Sequence, residues 1–190
     1  MCRKLLLIIL LNYIHSLSIA QVSLNDPVQY AKVHDSIHHI VFDFPAGWET
    51  RTNIPRVMFY AQDTTMSFKN FRTNLIYMSR RKFSELSKTL DWQAKALEKH
   101  SKHIVITEKL ILQNQHGIEY GRLKNYSSHK GLIGYKTHII FAKGDSFYLI
   151  TFANLETDEQ KYFPVVEHII QSIQFYGPAD KKEDDEHSDK

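Results

Sequence analysis

The chain has 190 residues, which is enough for one domain with a sizeable hydrophobic core. Hydrophobic residues make up 43% of it and aromatic residues 12%, so the material for such a core is present. Basic and acidic residues nearly balance, and the net charge of +3 is too small an excess to favour a nucleic-acid partner.

Residues 1–20 have the pattern of a cleavable secretory signal peptide. Arg3 and Lys4 supply its positive charge, and the apolar run that follows them is shorter than the roughly 20 apolar residues that span a bilayer. Small residues stand where signal peptidase reads them, so cleavage is predicted directly after Ala20. The alternatives are an uncleaved anchor or a buried N-terminal helix. Cleavage would place the mature protein in the periplasm or outside the cell.

The single cysteine, Cys2, lies inside this predicted signal peptide. Its removal would leave no disulfide, thiol nucleophile or cysteine metal ligand in the mature chain. No cysteine follows the apolar run to accept a lipid, and no second apolar run approaches the length of a membrane span. The sequence therefore predicts a mature protein with no lipid anchor and no transmembrane segment.

Residues 21–36 are polar and mixed, and they are predicted to form an N-terminal lead-in without a core element. Strands are predicted at 38–44, 56–62 and 71–80, where aromatic and branched residues alternate with polar ones. A helix is predicted to follow with Ser84 as its N-cap. Its apolar stripe has the three- and four-residue spacing of a helix face: Phe83, Leu86, Leu90, Ala94 and Leu97.

Four more strands are predicted, at residues 104–112, 118–126, 135–143 and 146–153. Gly144 and Asp145 separate the last two and predict a tight hairpin, because glycine supplies the positive φ that such a turn needs. A closing helix carries Pro164, which the prediction places in its first turn. Its buried stripe is predicted to be Val166, Ile169, Ile170 and Ile173.

These elements predict an α+β fold, with an antiparallel sheet of about six or seven strands packed with two main helices. A single domain is expected over residues 37–176. Residues 177–190 are expected to be a disordered tail, since six acidic and three basic residues follow Ala179.

One histidine cluster could bind a ligand. Its residues offer nitrogen and oxygen ligands to zinc or copper: His34, Asp35, His38 and His39. His34 and His38 would share a face if this segment were helical. A polar lead-in to an edge strand has the same pattern. Acid sensing is a further interpretation, because histidine changes charge between pH 5 and 8.

Basic residues also alternate with aromatic ones over residues 69–82, and this pattern favours a contact surface for an acidic partner or an anionic head group. The basic residues of this candidate partner-binding surface are Lys69, Arg72, Arg80, Arg81 and Lys82. A strand with one solvated face has the same pattern.

No sequence motif singles out a catalytic residue. The chain has no G-x-S-x-G motif, and the glycines at 131 and 134 miss the spacing of a phosphate loop because lysine does not directly follow the second. No cofactor is predicted. Asn125-Tyr126-Ser127 is a sequon for N-glycosylation, which matters in a eukaryotic host.

The order of these landmarks resembles the PsbP/DcrB-like superfamily of small exported domains. They are the run Phe-Asp-Phe-Pro-Ala-Gly-Trp at residues 42–48, Asn70 and Asn74, the helix from Ser84, the Gly144-Asp145 hairpin with Tyr148, and Ser-Ile-Gln-Phe at residues 172–175. The resemblance covers about residues 37–176 and implies an α/β/α sandwich. Members of the superfamily bind other proteins and share no catalytic site, so the resemblance implies a fold and not a reaction. The chain lacks the lipid-accepting cysteine of bacterial lipoprotein members and the transit peptide of plastid members.

Together, these features predict an exported, non-catalytic protein-binding or accessory module of the bacterial envelope or the extracellular space. Two alternatives stay open. One is a secreted effector or enzyme of unrecognised type, and the other is a histidine-based metal or pH-responsive binding protein.

Overall fold

The computed structural model describes most of the chain after the first 27 residues, namely residues 28–51, 53–64, 73–81, 85–100, 103–129 and 131–177. The predicted signal peptide, with its cleavage site, lies outside these residues, as does the predicted tail beyond Gly177. None of the described helices is both long enough and apolar enough to cross a membrane.

The described residues form ten strands and two α-helices. The strands are β1 Tyr30–Asp35, β2 Ile40–Pro45, β3 Glu49–Arg51, β4 Phe59–Gln62, β5 Asn74–Arg81, β6 Ile104–Gln113, β7 Glu119–His129, β8 Leu132–Lys143, β9 Ser146–Leu155 and β10 Gln174–Phe175. The helices are α1 Leu86–His100 and α2 Glu159–Ser172, and a short 3-10 helix, Glu156–Asp158, precedes α2.

Seven of the strands form one antiparallel sheet in the order β3-β4-β5-β9-β8-β7-β6, here called the large sheet. The remaining three form the small sheet in the order β1-β2-β10. The predicted antiparallel sheet is therefore confirmed. So is the hairpin between β8 and β9, where Lys143 lies opposite Ser146 and Gly144 has a φ of 60°.

Helices cover both faces of the large sheet because its strands alternate apolar side chains between the two faces. Ile140 belongs to the core beneath α1, which packs on β6, β7 and β8. Its neighbours Ile139 and Phe141 point the other way, into the core beneath α2 and the small sheet. The small sheet contributes three buried side chains to that second core: Ile40, Phe42 and Phe44. The fold is an α/β/α sandwich, as the family resemblance implies.

Two local predictions were wrong. The polar segment before residue 37 is not a bare lead-in, because residues 30–35 form β1, which pairs with β2 and packs Val33 against the core. Its strand conformation depends on this partner, which the segment's own pattern does not reveal. Pro164 lies inside α2 beyond its first turn, since the helix begins earlier, at Glu159. A proline there leaves one helical carbonyl without its backbone donor.

Candidate functional site

The turn between β1 and β2, residues 35–39, is held by one nearly buried carboxylate and is here called the histidine turn. Asp35 Oδ1 accepts hydrogen bonds from the backbone N–H groups of Ile37, at 3.1 Å, and His38, at 3.0 Å. Its Oδ2 accepts from His38 Nδ1 at 2.8 Å and from the Tyr77 hydroxyl at 2.9 Å. An aspartate that bonds to the backbone two residues ahead is a standard way to stabilise a tight turn.

The tyrosines below the turn are kept in their protonated form. Burial, followed by the negative charge of Asp35, raises the pKa of Tyr77 far above its ordinary value. The same two causes raise the pKa of Tyr148, whose ring meets that of His38 edge-on, with ring centroids 5.3 Å apart. Tyr77 therefore serves as a permanent hydrogen-bond donor to Asp35.

Two segments distant in sequence hold the histidine turn from outside. Lys143, at the end of β8, donates from Nζ to the carbonyl oxygens of His38, at 2.9 Å, and His39, at 3.2 Å. Tyr176 lies just after β10, and its hydroxyl donates to the carbonyl oxygen of Asp35 at 3.1 Å. Its backbone N–H donates to the carbonyl oxygen of His39 at 3.0 Å. His39 itself has a φ of 54°, a conformation in which histidine is more common than most residues.

Three large apolar side chains are exposed around this hydrogen-bonded turn and are here called the apolar patch: Ile37 at 81%, Phe175 at 37% and Tyr176 at 37% exposure. Imidazoles flank the patch, since the rings of His34 and His39 meet Tyr176 edge-on at centroid distances of 6.2 and 5.5 Å. The Lys143 ammonium lies 5.4 Å from the ring centroid of Phe175. The histidine turn therefore presents the apolar patch to solvent, with Lys143, His34 and His39 around the edge of the patch.

The four predicted metal-binding residues come together at this end of the small sheet, though not on a helix. His34 lies in β1 and His38 in the turn, so they share no helical face. Asp35 and His38 bond to each other directly. Among the residues that the structure describes, no three His, Cys, Asp or Glu side chains are grouped to hold one metal ion. Metal binding by His34, Asp35, His38 and His39 stays a prediction.

The predicted basic surface lies mostly outside the described residues. Lys69, Arg72 and Lys82 are not described, whereas the backbone of Arg80 and Arg81 forms the end of β5, opposite β9. A partner-binding role for these five residues stays a prediction.

Sequence reasoning missed the side chains that surround the histidine turn. Tyr77, Lys143 and Tyr176 come from three other segments, and nothing in their local sequence links them to residues 35–39. Only Ile37 stands out in the local sequence, because it is a single large apolar residue within a polar turn.

A second polar group, from β7, β8 and β9, lies buried in the large sheet. His138 Nε2 donates to Asn125 Oδ1 at 2.9 Å, and the Thr151 hydroxyl donates to His138 Nδ1 at 2.9 Å. Asn125 has no exposed surface, so the folded protein leaves no room for a glycan on the predicted sequon. Burial, helped by the charge of Lys136, lowers the pKa of His138 to about 4.

No family model and no curated protein sequence matches the chain. Several solved structures do resemble it. The cyanobacterial PsbP (CyanoP) from Synechocystis sp. PCC 6803 has 10% sequence identity and a TM-score of 0.62, over 82% of this chain and 98% of that one. LpqN of Mycobacterium tuberculosis, described as involved in cell envelope biogenesis, has 12% identity and a TM-score of 0.57, over 80% and 93%. The Saccharomyces cerevisiae Ran-binding protein Mog1p has 9% identity and a TM-score of 0.56, over 78% and 96%.

At such low identity, these similarities establish a common fold and not a common activity. Each superposition covers nearly the whole of the solved chain, so the shared unit is the complete sandwich and not a fragment of it. The chain has the PsbP/DcrB-like fold, as the resemblance at the sequence level predicts.

Proposed function

We propose that this chain is an exported, non-catalytic binding module that contacts a partner protein through the apolar patch. The observation that carries the proposal is the 81% exposure of Ile37 at the tip of a turn that is held from below. Single exposed apolar residues are ordinary, but Ile37 stands beside the exposed aromatic rings of Phe175 and Tyr176. Exposed clusters that contain aromatic side chains are typical of protein–protein interfaces.

The histidine turn is suited to binding because it is ordered before a partner arrives. Asp35 accepts four hydrogen bonds, and Lys143 and Tyr176 hold the carbonyl groups of the turn. Binding through a pre-ordered turn avoids the entropy cost of fixing a flexible loop. Ile37 can therefore act as an anchor that enters an apolar pocket of the partner.

The rim of the patch favours an acidic surface around that pocket. Lys143 is cationic and lies over the ring of Phe175, and the imidazoles of His34 and His39 meet the ring of Tyr176. Asp35, the carboxylate of the turn, is 9% exposed and engaged in hydrogen bonds. Complementary charge would speed the encounter and orient the partner.

Two observations from outside the patch support the wider proposal. The pattern of residues 1–20 favours export. One protein of the same fold is described as Ran-binding and another as involved in cell envelope biogenesis, which supports an accessory role.

Site-specific photocrosslinking tests the interface. A photoreactive residue at position 37 should give one defined adduct in the native host, and the variant Ile37→Asp should compete poorly with wild type for that partner. Val105, which is 45% exposed on β6 of the other sheet, is the matched control position. The same adducts from both positions, or full competition by Ile37→Asp, would exclude the patch as the interface.

Export is tested separately by N-terminal sequencing of the protein from its host. The expected first residue is Gln21. A chain that still begins at Met1 would refute the proposed export and leave the interface proposal untouched.

A further inference from the structure

The outermost strand of the large sheet, β6, has an unpaired edge and exposes apolar side chains along it. Within the part of the chain that the structure describes, β6 pairs only with β7, so its other edge has no strand beside it. Three of its side chains are large, apolar and exposed: Val105 at 45%, Leu110 at 42% and Ile111 at 45%. A long edge strand of this kind is a template for pairing with another strand.

The exposed side chains of Leu110 and Ile111 lie on opposite faces of the large sheet. Residues directly opposite each other in an antiparallel pair share a face. Ile111 lies opposite Gly121, which is beneath α1. Leu110 lies opposite Arg122, whose side chain bonds to α2. Apolar side chains on both faces are typical of a strand in the interior of a sheet, so β6 is suited to a further neighbour.

The hydrogen bonds of the β6–β7 turn show which backbone groups of β6 point outwards. The N–H of Asn114 donates to the carbonyl oxygen of Ile118 at 3.0 Å, so it points towards the β7 side. The backbone groups of successive residues in a strand point to alternate edges. The N–H and C=O groups of Lys109, Ile111 and Gln113 therefore point away from β7.

Residues 109–113, here called the free edge, lack the usual protection of an edge strand. The β-bulge of β6 lies between Ile106 and Glu108, so it interrupts the strand before the free edge begins. The free edge contains no proline, and its one charged residue is Lys109. The Nζ atom of Lys109 lies 2.5 Å from Oδ1 of Asp91 in α1, and this contact holds the charge over the α1 face.

We propose that the free edge pairs antiparallel with the free edge of a second copy of this chain, around a two-fold axis at Ile111. In this register, Ile111 lies opposite its own counterpart and Leu110 lies opposite Leu112. Lys109 lies opposite Gln113, so no like charges meet. The residues with outward backbone groups lie opposite one another, and each such pair can exchange both of its N–H···O bonds.

The neighbouring registers are less complementary. An axis at Lys109 would place two lysines directly opposite each other, which is destabilising. An axis at Leu110 would place the charge of Lys109 opposite Ile111. The free edge is thus best matched to itself in one register, which favours a second copy over an unrelated strand. This surface is separate from the apolar patch, so the inference does not depend on the proposed function.

Sedimentation equilibrium of the purified protein, as its host makes it, tests this over about a hundredfold range of concentration. The average mass should rise from that of a monomer towards that of a dimer. Ile111→Lys puts like charges at the axis and should weaken the dimer at least about tenfold. Val105→Lys is the matched control, because Val105 is equally exposed on the same strand but lies beyond the bulge. It should associate as wild type does, and circular dichroism should show both variants folded.

Cysteine substitutions test the register. Residues opposite each other in a hydrogen-bonded pair have Cα atoms about 5.5 Å apart, which is within the range of a disulfide. Ile111→Cys should therefore give a covalent dimer on mild oxidation. Leu110→Cys should not, because in this register Leu110 and its counterpart are diagonal neighbours about 7–8 Å apart. The wild-type protein, oxidised in parallel, accounts for any contribution from Cys2.

A mass that stays at the monomer value throughout would overturn the proposal. So would equal loss of association in Ile111→Lys and Val105→Lys, since apolar contact along β6 and not strand pairing would then hold the copies together. A covalent dimer from Leu110→Cys but none from Ile111→Cys would refute the register. The crosslinks from position 37 report on a different surface, so the two proposals can fail independently.

Discussion

His138 is a buried histidine in the middle of the large sheet, 4% exposed and bonded to Asn125 and Thr151. Its pKa of about 4 lies below the ordinary 6.5 that applies when the chain unfolds. Between these values the unfolded state takes up a proton that the folded state does not. The contribution of His138 to stability is therefore fully present above pH 6.5 and is lost as the pH falls towards 4.

We predict that the free energy of unfolding falls by up to about 3 kcal/mol between pH 7 and pH 4 through this residue. Urea denaturation at a series of pH values measures it. His138→Gln should be less stable than wild type at pH 7 but should lack most of this pH dependence. An equally steep fall in the variant would assign the acid sensitivity to other groups.

At the scale of elements, α1 packs closely on β7 because a glycine lies beneath it. A Cβ atom built on Gly121 would stand 2.9 Å from Leu90 Cδ1 and 3.5 Å from Leu86 Cδ1. Gly121 does not have a positive φ, so the reason for glycine is space and not backbone conformation. Leu86 and Leu90 are both nearly buried and belong to the α1 core.

Gly121→Val should therefore lower the free energy of unfolding by about 1–3 kcal/mol, the usual cost of overpacking a core. Gly134→Val in β8 is the matched control, since the nearest atom to its added Cβ is the Asn154 carbonyl oxygen at 4.0 Å. Urea midpoints of the two variants give the comparison. If the two substitutions lowered the urea midpoint equally, the close packing of α1 on Gly121 would not be the reason for glycine at this position.

The whole molecule has two cores on opposite faces of the large sheet, and one tryptophan lies beside each. Trp48 lies on the α2 side, with ring centroids 5.8 Å from Phe152 and 6.2 Å from Tyr162. Trp92 lies on α1, with its ring centroid 6.3 Å from that of Phe147. Every central strand contributes to both cores, so loss of one core should remove the support of the other.

Fluorescence of single-tryptophan variants tests this cooperativity. Trp92→Phe leaves Trp48 as the reporter of the α2 side, and Trp48→Phe leaves Trp92 as the reporter of the α1 side. In each variant, the fluorescence transition in urea should coincide with the circular dichroism transition, as two-state unfolding requires. A Trp92 signal that changes at lower urea than the dichroism of the same variant would show that α1 detaches on its own.

Much of the fold follows from local pattern. Alternation predicts β2 and the strands β4 to β9, and helical spacing predicts the buried stripes with Leu90 in α1 and Ile169 in α2. Strand β1 was missed because its outward residues are polar and its stability comes from pairing with β2. Strand β10 was missed because it has only two residues, Gln174 and Phe175.

The candidate site was predictable only in part. The sequence singles out His34, Asp35, His38 and His39 because histidine and aspartate carry recognisable chemistry wherever they lie. It does not reveal that Asp35 is nearly buried against Tyr77, since that contact joins residues 42 positions apart.

Local sequence patterns are sufficient to predict the α+β class, the antiparallel order of β6 to β9 and the stripes that each helix buries. These follow from periodicity and turn chemistry, which act between residues near each other in the chain. Which polar side chains are buried beneath the site, and which apolar ones stay exposed, depends instead on contacts between distant parts of the chain. Asp35 is buried and Ile37 exposed because β5, β8 and β10 meet the histidine turn, and such long-range contacts are not encoded in any local pattern.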